Sequence, residues 1–302
     1  MNKKELYNKL LEIVPDSSIK IDEEMKNHTS LRVGGKASFL IEPTSEKEVE
    51  SLVKLLIDTN QKYYIIGRGS NLLVKDEGID GVVIKISDKF SGISSVNGML
   101  TVKSGTPLAE VAKYAYKNSL TGIEFASGIP GSVGGAIAMN AGAYGGEMKD
   151  VVEFVKVIDD KGDILILTNE DMNFSYRRSL LTEKNLYIVL EVIISLMEGD
   201  KDTIFNEMKT RADKRTMSQP LNKCNCGSTF KRPEGHFAGQ LIEECGLKGF
   251  ELNGVEVSSR HAGFIVNNGK TTATDMINMI NLVKSKVKDK FDIELEEEVK
   301  II

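Results

Sequence analysis

The chain has 302 residues, 41% hydrophobic and 27% charged, a composition that can bury a sizeable core and excludes disordered and fibrous classes. Its 39 basic residues against 44 acidic ones leave a formal net charge of −5, with no basic stripe of the kind that nucleic-acid binders carry. No apolar run approaches the roughly 18 residues of a membrane span, and Cys224, Cys226 and Cys245 are too few for a disulfide framework or a four-ligand zinc site.

These features predict no nucleic-acid partner, no membrane, no metal, and a reducing cytoplasm. Met1 to Val14 places Leu6, Leu10, Leu11 and Val14 at helical spacing, but Glu5 and Glu12 interrupt it, so it reads as a helix and not a signal peptide. Ser38 to Ile41 reads as a short strand. Glu46 to Asn60 carries Val49, Leu52, Val53 and Leu56 on one helical face. Tyr63 to Ile66 is expected to be a buried strand, followed by a glycine turn. Gly81 to Ile86 is another strand, and Met99 to Ser104 pairs with Ser95-Val96. Pro107, at the favoured first helical position, opens a helix through Asn118.

After the glycine-dense stretch Gly128 to Gly146 come three β-rich segments, Glu153 to Asp159, Ile164 to Thr168 and Leu186 to Leu196. Glu198-Gly199-Asp200 marks a boundary before a helix at Asp202 to Arg215. A helix at Phe237 to Cys245 and strands near Gly254 to Ser258 and Gly263 to Asn267 follow. The helix Thr274 to Lys288 puts Met276, Met279, Ile280, Val283 and Val287 on one face, and a charged strand, Ile293 to Ile302, closes the chain. Strands and helices do not alternate strictly, so the fold reads as α+β and not doubly wound. The division is a helical segment, 1–30, and two domains, 31–198 and 199–302.

Two small-residue loops stand out. Gly67-Arg68-Gly69-Ser70-Asn71 follows a strand directly, and its glycines let backbone N–H groups converge into an anion-binding nest. It lacks the third glycine of the dinucleotide fingerprint and the lysine of a P-loop. The second loop runs Gly128-Ile129-Pro130-Gly131-Ser132-Val133-Gly134-Gly135-Ala136 and continues as Met139-Asn140-Ala141-Gly142-Ala143-Tyr144-Gly145. Its small side chains allow backbone to lie against something large, planar or phosphorylated. Small residues also permit close packing of elements, but two such loops point to an extended nucleotide cofactor. The cofactor-binding candidates are Gly67, Arg68, Gly69, Ser70, Asn71, Gly128, Ile129, Pro130, Gly131, Ser132, Gly134, Gly135, Asn140 and Gly142.

His28-Thr29-Ser30-Leu31-Arg32-Val33-Gly34-Gly35, the Gly-Arg-Gly-Ser-Asn loop and the Gly-Ile-Pro-Gly-Ser-Val-Gly-Gly loop occur in an order and spacing that resembles the UDP-N-acetylenolpyruvoylglucosamine reductase family. The resemblance implies an FAD-binding domain of the p-cresol methylhydroxylase/vanillyl-alcohol oxidase type, made of two α+β subdomains, plus a C-terminal α+β substrate domain. It implies noncovalent FAD, NADPH as co-substrate, and a UDP-sugar enolpyruvyl ether as substrate. By the same likeness the first loop holds the FAD diphosphate and the second packs along pyrophosphate and isoalloxazine. The short stretch between Pro233 and Gly239 resembles the branch of the family without a tyrosine loop over the substrate. A monomer is expected.

Reducing an enolpyruvyl ether takes a hydride at one carbon, a proton at its neighbour, and a cation for the carboxylate onto which charge flows. Composition alone reads Tyr176-Arg177-Arg178-Ser179 as a solvated turn, Gly227-Ser228 as another, and Glu294 to Glu298 as an acidic strand end. The family's motifs select Arg177 for the carboxylate, with Tyr176 beside the substrate. They select Ser228 as proton donor, ahead of Cys226 and Thr229, and Glu298 to steady the intermediate or relay a proton. Lys231, Arg232 and His261 are the candidate cations for the substrate diphosphate. Ser218 stands where the longer branch has a lysine, and Arg215 is a neighbour able to compensate. Two rival readings are another FAD-dependent oxidoreductase on this scaffold, such as an alcohol oxidase or the FAD subunit of a molybdenum hydroxylase, and a non-catalytic flavin- or nucleotide-binding regulator.

Overall fold

The computed structural model describes residues 1–184 and 187–302. Contacts divide the chain into two compact units, one of residues 1–22, 38–68 and 80–212 and one of residues 23–37, 69–79 and 213–302. Among the described residues, no helix is long and apolar enough to cross a membrane, and no group of three or more His, Cys, Asp or Glu could hold a metal ion.

Most of a four-stranded sheet lies in the first unit, in the order Ile19–Glu24, Lys36–Ile41, Ile79–Lys85, Tyr63–Ile66. The helix Glu46–Asp58 begins at Ser45, whose side chain accepts from the Glu48 N–H. Its Val49, Leu52, Val53 and Leu56 are fully buried, as their spacing predicts, in a core shared with Leu6 and Leu10 of the helix Lys3–Leu11. Each such burial stabilises by about 1.5–3 kcal/mol, more than the roughly 0.5–1 kcal/mol of rotamer entropy that a leucine loses. Leu11 is exposed instead, because it sits about 100° round the helix from Leu10. The strand Tyr63–Ile66 is less buried than expected, with Tyr64 and Ile65 exposed. It is an edge strand, hydrogen-bonded on one side only, parallel to Ile79–Lys85.

A second, antiparallel sheet of the first unit runs Ile164–Thr168, Val152–Ile158, Ile188–Ser195, Met99–Lys103, Ile93–Val96. Leu186, the expected start of its third strand, lies outside the described residues. The helix Leu108–Lys117 begins one residue later than expected, with Pro107 as its N-cap at φ −57°, ψ 131°. Proline's fixed φ suits either position; the extended ψ decides. Val133–Ala138 is a short helix that the glycine content had concealed.

The second unit has its own core, in which Leu31, Val33 and Leu73 join Phe230, Ile242, Val255 and Val257. The helix Ala273–Phe291 adds the expected face of Met276, Met279, Ile280, Val283 and Val287, all buried. A small antiparallel sheet orders Glu251–Leu252, Val255–Val257 and Ile265–Asn267. The C-terminal segment is not one continuous strand. Glu297 bridges Phe230 in antiparallel fashion, and Lys300–Ile301 then pairs in parallel with Leu72–Leu73. A change of partner and direction within four residues breaks the ladder.

Asp76 ties the first glycine loop's continuation to the last helix. Its carboxylate accepts from the Ala273 N–H at 2.9 Å, the Thr274 N–H at 2.8 Å and the Thr274 hydroxyl at 2.6 Å. Partial burial works to raise its pKa, but those bonds outweigh it and hold the carboxyl below its ordinary value. A depressed folded-state pKa gives stability that is present above the unfolded value, about 3.9, and lost as pH falls through the folded one. Asp76→Ala is therefore expected to lower unfolding free energy by about 1 kcal/mol at neutral pH. The gap between variant and parent in denaturant titrations should narrow at about pH 3; a gap equal at both pH values would refute the charge argument.

Candidate active site

The first glycine loop owes its glycines to close approaches. Gly69 has φ +66°, and a Cβ there would collide with the His28 carbonyl; the Ser30 N–H donates to the Gly69 carbonyl at 3.0 Å. A Cβ on Gly67 would collide with the Ser132 hydroxyl, so this is where the two glycine loops meet. Arg68 is ion-paired to Asp88 at 2.5 Å. The Asn71 amide donates to the backbone carbonyl of Glu298 at 2.9 Å, a partner that sequence reading did not foresee.

In the second loop Gly131 takes φ +129° and leads into the short helix. That helix's first N–H groups are engaged by the neighbouring strand end: Val133 donates to the Thr106 carbonyl at 2.9 Å and Gly134 to the Ser104 carbonyl at 2.8 Å. A Cβ on Gly134 would lie 3.0 Å from the Ser104 Cβ, so Gly134 is small in order to pack helix on sheet. Gly135 is the exposed one, with only the Ser132 hydroxyl among the described residues near its Cβ position, at 3.7 Å. The buried Ser104 hydroxyl has no hydrogen-bond partner among the described residues.

Three ties clamp the arginine turn to this loop. Ser175 and Arg178 exchange backbone hydrogen bonds at 3.1 Å each way, closing a tight turn with Tyr176 and Arg177 at its centre. The Asn140 amide donates to the Ser175 carbonyl at 3.1 Å, the Arg177 guanidinium to the Gly142 carbonyl at 3.1 Å, and the Ser179 hydroxyl to the Ala138 carbonyl at 2.8 Å. Arg177 sits at φ +56°, with its guanidinium 5.0 Å over the Tyr176 ring. It is half-buried and Tyr176 is exposed, as is Arg178, the residue expected in solvent.

In the second unit Ser228 and Glu298, 70 residues apart in sequence, lie on adjacent antiparallel segments. The Glu298 N–H donates to the Thr229 carbonyl at 2.8 Å, and the Lys231 N–H to the Glu296 carbonyl at 2.9 Å. Gly227, at φ +83° with open space around its Cβ position, turns the chain so that Ser228 is exposed. None of the described residues hydrogen-bonds its hydroxyl. Thr229 points inward: it is buried, and its hydroxyl accepts from the Ile265 N–H at 3.1 Å. Burial pushes the Cys226 thiol up to about 12, and the Glu298 carboxylate pushes the same way. That thiol stays protonated.

The candidate diphosphate cations differ from one another. Lys231 is ion-paired with Glu296, and the Arg232 guanidinium lies 4.5 Å over the Phe237 ring. For His261, partial burial holds the pKa below the ordinary value. Its Nδ1 accepts from the Gly263 N–H at 3.1 Å, which leaves Nε2–H of a neutral ring as a donor.

Residues 37–168 match the model of an FAD binding domain. Residues 219–302 match that of the C-terminal domain of UDP-N-acetylenolpyruvoylglucosamine reductase. A protein of that name from Clostridioides difficile is 49% identical over 302 residues, spanning 100% of this chain and 99% of its own length. The chain belongs to the UDP-N-acetylenolpyruvoylglucosamine reductase family. The crystal structure of the family's member from Thermus caldophilus superposes with a TM-score of 0.80 at 34% identity, covering 94% of this chain and 97% of that one. A glucose dehydrogenase, Phl p 4.0202, shares the fold alone, with a TM-score of 0.51 at 17% identity over 65% of this chain and 44% of that one. Membership and the FAD-binding domain make the chain a flavoprotein oxidoreductase, and FAD its cofactor.

The residues present fit that cofactor. The meeting of Gly67 with Ser132 forms a cradle that a Cβ would fill, and the exposed Gly135 lets backbone be approached closely. Asn140 fits less well as a cofactor contact, since it is fully buried and its amide is engaged by protein groups. Sequence reasoning missed Ser175 and Ser179 as anchors of the arginine turn. The Tyr-Arg-x-Ser spacing held Ser179 in plain view, but its partner, the Ala138 carbonyl, leaves no mark in a sequence.

Proposed function

We propose that the chain reduces UDP-N-acetylglucosamine enolpyruvate to UDP-N-acetylmuramate with NADPH as reductant, Arg177 receiving the substrate carboxylate and Ser228 donating the proton. When bound, noncovalent FAD supplies the hydride chemistry. The observation that carries the proton-donor assignment is the pairing of Thr229–Lys231 with Glu296–Glu298. It fixes the backbone of Ser228's neighbour and of Glu298 against each other while leaving the Ser228 hydroxyl exposed. Its two rivals are disfavoured by burial, Thr229 at 1% and Cys226 at 7% exposure, which keeps both from a substrate that exposed Ser228 can meet.

Each residue has a chemical task. As the double bond is reduced, negative charge moves onto the carboxylate, and the fork of Arg177 stabilises it there. A serine hydroxyl is too weak an acid to protonate a neutral carbon; it can protonate one that carries this developing charge. Glu298, anchored through its N–H to Thr229 and through its carbonyl to Asn71, completes the set. Lys231 and Arg232 serve the diphosphate, Lys231 by exchanging Glu296 for phosphate, and neutral His261 adds a hydrogen bond.

The test uses purified, yellow holoenzyme. Acid or heat is expected to release all of its flavin, and NADPH oxidation beyond one equivalent per flavin is expected only when UDP-N-acetylglucosamine enolpyruvate is present. Flavin that stays on the denatured chain, or oxidation of an alcohol without this substrate, would favour the oxidase reading. Flavin binding with no turnover would leave a regulator.

A further inference from the structure

Asn140 has more to do than line a glycine loop. Its side chain offers two N–H donors and a carbonyl acceptor, and it is 0% exposed. The donors go to Glu147 Oε2 at 2.9 Å and the Ser175 carbonyl at 3.1 Å, and the acceptor takes the Lys149 N–H at 2.9 Å. Its own φ of +41° is one that asparagine tolerates better than most residues. Residue type, backbone conformation and hydrogen bonding all direct Asn140 toward the Ser175 carbonyl.

That carbonyl is the first corner of the turn carrying Arg177. Ser175 and Arg178 bond each other at 3.1 Å in both directions, so the turn moves as one piece. Arg177, held at φ +56°, follows any displacement of Ser175. The Arg177–Gly142 and Ser179–Ala138 bonds hold the turn to the same loop on either side of Asn140. We propose that Asn140 is a positioning residue for Arg177, setting where the guanidinium meets the substrate carboxylate. The inference rests on the reading that Arg177 receives that carboxylate. Losing a well-placed hydrogen bond to a charged group at such a contact weakens binding by about 10–100-fold.

Asn140→Gly deletes the amide and keeps a backbone that accepts positive φ without strain. Asn140→Asp keeps the shape and the acceptor for Lys149 but loses the donors. Three properties are measured: FAD content, affinity for UDP-N-acetylmuramate, which carries the carboxylate, and affinity for UDP-N-acetylglucosamine, which lacks it. We expect both variants to retain FAD and the affinity for the carboxylate-free nucleotide, and to bind UDP-N-acetylmuramate about 10–100-fold more weakly. In an Arg177→Ala background, the Asn140 substitutions should add almost nothing to that loss. Equal loss of both nucleotides, loss of FAD, failure to fold in both variants, or unchanged affinity for UDP-N-acetylmuramate would each overturn the proposal. If Arg177→Ala itself binds the two nucleotides as the parent does, the carboxylate reading of Arg177 fails instead.

Discussion

Ser228→Ala is expected to leave FAD content and the bleaching of flavin by NADPH nearly unchanged, since neither requires a proton at a substrate carbon. Recovery of flavin absorbance on adding the enolpyruvyl substrate should slow by about 10²–10⁴-fold, the usual worth of a positioned general acid. Ser228→Cys should recover part of the rate, because a thiol is the stronger acid at similar reach. Exposure of Ser228 and the open space around Gly227 make the loss of one oxygen harmless to packing, so rapid mixing reads chemistry and not unfolding. Recovery at the parent rate in Ser228→Ala would remove Ser228 from the mechanism and leave a water held by Glu298 as the next donor to test.

The second large effect is expected at Arg177. Arg177→Ala removes the cation where charge accumulates, and kcat/KM should fall by about 10²–10³-fold, as when a single oxyanion-stabilising donor is deleted. Arg177→Lys keeps the charge but not the fork of donors, so it should rescue only part of the loss. Because Arg177 also donates to the Gly142 carbonyl, thermal unfolding should be measured alongside. Activity within a few-fold of the parent in Arg177→Ala would assign the carboxylate to another cation. Equal losses in the Lys and Ala variants would mean that geometry, and not charge, is what the site requires.

Sequence reading served differently for different parts of this chain. The helical faces of Glu46–Asp58 and Ala273–Phe291 were legible because a periodicity of 3.6 is a local property, and every residue named on them is buried. The glycine-rich helix Val133–Ala138 was not, since its formation depends on the chain just past a strand end, which accepts its first N–H groups. Likewise, nothing in Ile293 to Ile302 announces that it leaves Phe230 for Leu72 and Leu73 halfway along. Arg177, Ser228 and Glu298 were found through the family's motifs; by composition two were turn residues and one an acidic tail.

By itself the sequence determined the α+β class, the glycine loops, the family likeness and the residue types that the chemistry needs, because each is written in local pattern or ordered motif. Only the tertiary structure decided that residues 23–37 and 69–79 cluster with 213–302, that Glu298 is anchored by Asn71 and Thr229, and that partial burial holds the His261 pKa down. It alone showed the Asn140 amide bonded to the Ser175 carbonyl and to the Lys149 N–H. Hydrogen bonds between residues 35 or 227 positions apart and the desolvation of a partly buried ring arise from chain closure, and closure has no signature in local sequence.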